Sequence, residues 1–200
     1  FQYPDGEKPV LRDFSFDFQP GSRTAIIGET GAGKSTLIRL MMSLLKPGSG
    51  SIVLYNKDGE IPASQATRCN LVYVPQGNSL LSGTVRENLL MGDPEASEAD
   101  MWRALKTAAA DFVTDLDALC GEGGAGLSEG QAQRIAIARG LLRKGDILLL
   151  DEFSSSLDPE TEERLMDGLE KNAAGKTLIF ITHREKISEY CQLHCRVSKY

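Results

Sequence analysis

Between Gly28 and Thr36 the chain reads Gly-Glu-Thr-Gly-Ala-Gly-Lys-Ser-Thr, the residue types needed to hold a run of phosphates. A triphosphate carries several negative charges, so its site needs donors that approach closely without bulk. Gly28, Gly31 and Gly33 permit a tight loop in which the backbone N–H groups of Thr30, Gly31, Ala32 and Gly33 can face the β- and γ-phosphates. A helix beginning near Lys34 adds the positive end of its dipole. Lys34 supplies a fixed point charge, and Ser35 Oγ, followed by Thr36, supplies a ligand for Mg²⁺. Every fixed position of the G-x-x-x-x-G-K-[ST] pattern is present, which favours this reading over a glycine loop that binds nothing.

Four further positions carry chemistry at the ends of apolar runs. Asp151 and Glu152 follow Ile147-Leu148-Leu149-Leu150. Adjacent acids can be a solvated strand end, but beside a phosphate loop Asp151 is a candidate to hold Mg²⁺ and Glu152 to orient or deprotonate an attacking water. The pair would sit by the nucleotide if the strand feeding the phosphate loop were its neighbour. Gln76 follows Val74-Pro75, where its amide can reach Mg²⁺ and that water. His183 follows the apolar stretch 177–181. A lone histidine is more often structural, yet its place at the same kind of strand end assigns it to the γ-phosphate. Finally, Leu127-Ser128-Glu129-Gly130-Gln131 opens a helix, with Ser128 placed to cap it.

The elements that must position these groups alternate strand and helix. Residues 24–27 form a short apolar strand running into the glycine loop, and 34–45 carry helical spacing through Leu37, Leu40, Met41 and Leu44 until Lys46-Pro47-Gly48. Strands are expected at 10–18, where Leu11, Phe14, Phe16 and Phe18 alternate with polar residues, and at 51–55, 70–74, 146–150 and 177–181. The Ala-rich stretch from Thr84 to about Leu119 reads as helical, clearest over 100–110, before the glycine cluster 121–126 breaks it. Buried strands alternating with helices imply a mostly parallel sheet with ligands beyond the carboxyl ends of its strands.

The expected fold is therefore α/β: a phosphate-loop NTPase with a mostly parallel core sheet and an α-helical subdomain, to which the family resemblance named below adds an N-terminal antiparallel β part and the insertion of the helices. The catalytic core covers 1–77 and 141–200, and the helical subdomain 78–140. A chain of 200 residues with 41% hydrophobic content can bury one substantial core. Its net charge of -6 argues against a dedicated nucleic-acid surface. Cys69, Cys120, Cys191 and Cys195 are too scattered for a disulfide framework. A metal half-site at Cys191-Gln192-Leu193-His194-Cys195 lacks a second pair to complete it. No apolar run approaches the length that spans a bilayer. The start at Phe1 rather than Met leads us to expect a soluble piece of a longer protein, the rest of which leaves room for a membrane part.

Taken in order, these motifs resemble the nucleotide-binding domain of an ATP-binding cassette (ABC) transporter. The phosphate loop is similar to that family's Walker A loop, Gln76 to its Q-loop, 127–131 to its signature, Asp151 and Glu152 to its Walker B end, Ser155-Ser156-Leu157-Asp158 to its D-loop and His183 to its switch histidine. Tyr3 resembles the family's adenine-stacking aromatic, against the plainer reading of a buried aromatic. Ser82-Gly83-Thr84-Val85-Arg86-Glu87-Asn88 and Gly121-Glu122-Gly123-Gly124 resemble exporter loops.

The resemblance implies ATP and Mg²⁺ as ligands, a second such domain and transmembrane domains as partners, and the cytoplasmic face of the membrane as location. It also implies that Ser128, Gly130 and Gln131 serve the ATP held by a partner's Lys34. Two departures stand out: Glu129 where the signature usually has Gly, and a short stretch between Asn88 and Gly121. A regulatory low-activity ATP-binding subunit and a soluble ABC ATPase acting on ribosomes or DNA are the alternatives.

Overall fold

The computed structural model describes residues 1–120, 126–173 and 175–199. At its centre five parallel strands lie in the order β4 (Leu71–Val74), β7 (Ile147–Asp151), β8 (Thr177–Ile181), β1 (Arg23–Ile27) and β9 (Leu193–Arg196). Their registers align Val74 with Leu150, Leu150 with Phe180 and Ile26 with Ile181, so the carboxyl ends share one edge. Gly28, Gln76, Glu152 and His183 follow at that edge.

Both sheet faces are covered, which is why the strands are nearly continuous in apolar residues. Leu148, Leu150, Leu178 and Phe180 point into one core with α4 (Glu129–Leu142) and α5 (Pro159–Asn172). Leu149, Ile179 and Ile181 point into the other, with Leu37, Ile38 and Leu40 of α1 (Lys34–Met41). α1 stops earlier than its periodicity predicts: Ser43 turns to φ 54, and backbone bonds from 42–45 close the end onto Ile38, Arg39 and Leu40.

A small antiparallel pair, β2 (Val53–Asn56) and β3 (Gly59–Pro62), forms the separate β part. The expected strand at 10–18 is not one. Phe14, Phe16 and Phe18 do pack in alternation on the α1-side core. Among the described residues, however, their backbone joins no ladder, while residues 10 and 11 bond to Phe1. Alternation there reports a half-buried surface rather than a sheet partner.

The helical stretch resolves into α2 (Val85–Leu90) and α3 (Glu98–Thr107). Thr84 and Ser97 start these with capping boxes closed by Glu87 and Asp100. A two-residue pair, β5 (Gly83–Thr84) with β6 (Leu119–Cys120), ties the ends of the segment together. The glycine cluster at 121–124 lies outside the described residues.

Several elements went unread in the sequence, among them β3, the β5–β6 pair, α5, α6 (Glu185–Tyr190) and β9. In β9 Cys195 is buried and His194 and Arg196 are exposed, the period-two pattern of an edge strand. All four cysteines are free thiols, and among the described residues no three His, Cys, Asp or Glu side chains cluster as a metal site. No helix among the described residues is long and apolar enough to cross a membrane.

Candidate active site

The phosphate loop is built so that only glycine fits at two of its corners. A Cβ at Gly28 would collide with the carbonyl of Val197, because β9 runs directly alongside. At Gly33, φ is 109 and a Cβ would come within 2.8 Å of Val10 Cγ1. Gly33 is also the N-cap of α1 and offers no side-chain cap, whereas α2, α3, α4 and α5 are each capped by their own Thr, Ser or Asp. The first N–H groups of α1 therefore point into the loop with no side-chain partner, which is what an anion requires.

Lys34 Nζ donates to the carbonyls of Gly28 at 2.6 Å and Glu29 at 3.1 Å, and lies 3.3 Å from His183 Nε2. Burial lowers its pKa, opposed by the charges of Glu152 and Asp151. His183 Nε2 is in turn 3.1 Å from Glu152 Oε1. Nε2 can serve only one neighbour at a time: protonated it donates to Glu152, unprotonated it accepts from Lys34. Lys34, His183 and Glu152 thus form one contiguous polar cluster at the sheet edge.

β1 and β7 are not neighbours, contrary to the condition under which the acid pair would lie by the loop; β8 runs between them. The acids arrive nonetheless, because β8 contributes His183 to the gap. Glu152 itself sits at φ 42, held by its N–H on Ile181 O at 2.9 Å and its carbonyl on Ser155 N at 3.2 Å. Asp151 accepts from Tyr73 Oη at 2.8 Å. Burial raises its pKa, partly offset by that hydrogen bond, with the Glu152 charge raising and Lys34 lowering it further.

Among the described residues Ser35 and Gln76 are exposed at the same edge, and Thr36 Oγ1 lies 3.2 Å from Tyr3 Oη, which also accepts from Arg39 at 3.2 Å. Tyr3 is thereby fixed on the first turns of α1, its ring edge-on to Phe1. The Ser35 hydroxyl, Gln76 carbonyl oxygen and Asp151 carboxylate are a hard oxygen donor set, which suits Mg²⁺ held jointly with phosphates.

Ser128, Gly130 and Gln131 lie elsewhere. Among the described residues no hydrogen bond joins 127–131 to the phosphate loop. Instead Ser128 caps α4, its Oγ accepting from Gln131 N at 3.2 Å and its N–H donating to Gln131 Oε1 at 2.9 Å. Gly130 abuts the D-loop: a Cβ there would stand 2.7 Å from Ser156 O. The Glu129 side chain is on an exposed residue.

Sequence reasoning missed three supporting residues. Tyr73 read as one more apolar strand position. Gln133, 2% exposed on an otherwise apolar face of α4, donates to Pro75 O at 3.0 Å, and Arg139 donates to Ser79 O at 3.0 Å. α4 thus holds both sides of Gln76. A polar side chain on the buried face of a helix was the signal that could have found Gln133.

This arrangement defines the class: a P-loop NTPase of mixed α/β fold with a parallel five-stranded core, as the sequence led us to expect. Residues 11–155 match the family model described as ABC transporter, and the chain belongs to that family. A shorter stretch, 125–187, also matches a model described as an AAA domain, putative AbiEii toxin.

The mycobactin import ATP-binding/permease protein IrtB of Mycolicibacterium thermoresistibile is 39% identical over 184 residues, covering 90% of this chain and 32% of that protein. The probable multidrug resistance ABC transporter ATP-binding/permease protein YheI of Bacillus subtilis is 36% identical over 200 residues, 96% of this chain and 34% of that one. A solved bacterial Atm1-family ABC exporter with ATP bound superposes with a TM-score of 0.86 at 34% identity, covering 98% of this chain and 35% of that chain. The chain spans about a third of the length of these relatives.

Proposed function

We propose that this chain is the ATP-binding and ATP-hydrolysing domain of an ABC exporter, acting at the cytoplasmic face of a membrane with fused or associated transmembrane domains. The observation that carries the reading is the Lys34–His183–Glu152 cluster at the mouth of a loop only glycine can form. In this reading Lys34 leaves the carbonyls of its own loop for the β- and γ-phosphates. His183 donates to the γ-phosphate, and Glu152 takes a proton from the attacking water. Ser35, Gln76 and Asp151 would hold Mg²⁺, which supplies charge neutralisation across the phosphates. Tyr3 offers its ring to adenine. The core, 1–77 with 141–200, carries this half-site, and the helical subdomain, 78–140, carries the signature and faces the membrane partner.

The separation of 127–131 from the loop supports a composite site. The N-terminus of α4, though capped by Ser128 in the isolated chain, carries the positive end of a helix dipole away from the phosphate loop. We place it on the ATP of a second nucleotide-binding domain, with Ser128, Gly130 and Gln131 contributing, so that two ATP molecules hold two domains together and hydrolysis lets them part. Export rather than import is favoured by the 82–88 segment. The exposed carboxylate of Glu129 favours, as a second reading, a slow regulatory domain paired with a faster one.

Purified chain given ATP and Mg²⁺ should release phosphate. Its Glu152→Gln variant should bind ATP, cease turnover and shift from monomer to dimer in light scattering. Undiminished turnover in that variant would remove Glu152 from the chemistry, and a monomer at saturating ATP would remove the composite site.

A further inference from the structure

We infer that Arg184 is a positioning residue that couples the chain's own γ-phosphate contact to the surface it offers to a partner's nucleotide; the inference rests on the composite-site reading. Arg184 directly follows His183, and its N–H is fixed on the buried Thr182 Oγ1 at 2.9 Å. Its guanidinium reaches Glu162 and the backbone of 155–157. Nη1 is 2.6 Å from Glu162 Oε2, whose side chain is 5% exposed, and both terminal nitrogens meet the D-loop, Nη2 at 3.3 Å from Ser155 O and each at 3.5 Å from Leu157 O.

The carbonyl between those two, Ser156 O, faces the other way and fills the space where a Gly130 side chain would stand. Alternate carbonyls of one tripeptide are thus shared between Arg184 and the first turn of α4. The turn that leads into the D-loop begins at Glu152, whose carbonyl accepts from Ser155 N.

This geometry has a mechanical consequence. A displacement of His183 carries Arg184 with it, and Arg184 grips the loop on which the N-terminus of α4 rests. Only a planar, multiply donating head can hold a carboxylate and two carbonyls at once; an ammonium can keep the Glu162 contact but not the fork. A buried ion pair is in itself a weak source of stability, since apolar substitutes often serve as well. Its use here is orientation. The two phosphate contacts of one chain, its own through His183 and its partner's through Ser128 and Gly130, are therefore linked by one side chain.

The test uses the 200-residue chain in the Glu152→Gln background, where dimerisation by MgATP can be titrated. The double variant Arg184→Met, Glu162→Gln removes the fork without leaving a buried charge unpaired. We expect its thermal midpoint to stay near the parent's and fluorescent ATP analogue binding to the monomer to change less than about twofold. The ATP concentration for half-dimerisation should rise about tenfold, within the usual range of coupling between sites. Amide exchange at 155–157 should quicken.

Arg184→Lys, which keeps the charge against Glu162, should show the same separation of monomer binding from dimerisation even if the double variant folds poorly. Parent-like dimerisation in a variant of parent-like stability would leave Arg184 without a coupling role, and loss of dimerisation only in step with loss of stability would make it merely structural; either result overturns the inference. A parent that never dimerises while binding ATP would instead overturn the composite-site reading, and the inference with it.

Discussion

Glu152 occupies the left-handed region at φ 42, where a side chain is strained, and three contacts keep it there: Ile181 O, Ser155 N and His183. Replacing it with Ala and with Gly removes the carboxylate identically, so the two variants differ only in backbone preference. A non-glycine residue in this region costs about 1–2 kcal/mol. Glycine's larger freedom in the unfolded chain offsets about 0.5–1 kcal/mol of the relief. Glu152→Gly should therefore exceed Glu152→Ala in stability by roughly 0.5–1 kcal/mol, or about 1–4 °C in thermal midpoint for a domain of this size. The lost contact to His183 cancels in the comparison and is small, since both side chains are partly exposed. Phosphate release should fall by about 10²–10⁴-fold in both variants, the contribution of a positioned base. Differential scanning calorimetry and a phosphate-release assay on the two proteins decide it. Equal midpoints would mean the backbone is unstrained, and turnover within twofold of wild type would mean Glu152 moves no proton.

Glu129→Gly tests the departure in the signature: an exposed carboxylate about 8 Å from a phosphate charge across water interacts by only ~0.5 kcal/mol per charge pair, so ATPase rate should rise less than about threefold and the gain should vanish in high salt. A tenfold rise would put the carboxylate against the phosphate and mark a site tuned to be slow. Tyr3→Phe keeps the ring and should leave ATP affinity within about twofold, whereas Tyr3→Ala should lose about 1–3 kcal/mol of stacking, read by titration calorimetry; equal effects would place the binding role in the hydroxyl held by Thr36 and Arg39. Burial pushes the thiols of Cys191 and Cys195 up to about 12. Both stay protonated in the folded chain while ordinary thiols ionise, so the stability they contribute is full below about pH 8.5 and is lost as pH rises toward 12. Replacing both with Ala should flatten that alkaline decline in urea titrations, and in the native protein iodoacetamide should modify the exposed Cys69 alone.

Groups with a short local pattern were legible in the sequence, and groups that act across strands were not. The phosphate loop, the strand 177–181 and the Ser128 cap each depend on a few consecutive residues, and the structure places them as expected. The strand order was hidden, since nothing in Ile147–Asp151 says that β8 rather than β1 lies beside it. β9 was hidden by its composition: His and Cys drew attention to ligand chemistry, while their alternate burial is the ordinary trace of an edge strand. Phe14, Phe16 and Phe18 erred in the opposite direction, alternating without a ladder.

The same distinction explains the site. Lys34, Glu152 and His183 follow β1, β7 and β8 and were recognisable one by one, but their mutual contacts depend on the sheet order that puts β8 in the middle. Tyr73 and Arg184 are legible only from their partners, and Gln133 only as a polar residue on an otherwise apolar helix face. Each is a polar group in or next to an apolar element, and each spends its donors on a carboxylate or on carbonyls of a loop that carries a functional residue: Asp151, the turn of Gln76, and the D-loop. A polar side chain that burial has not excluded is where a fold of this kind fixes a loop in place. The positions most worth mutating after the motif residues are therefore those three, because their hydrogen bonds hold the backbone or side chain of the motif residues without belonging to the motifs themselves.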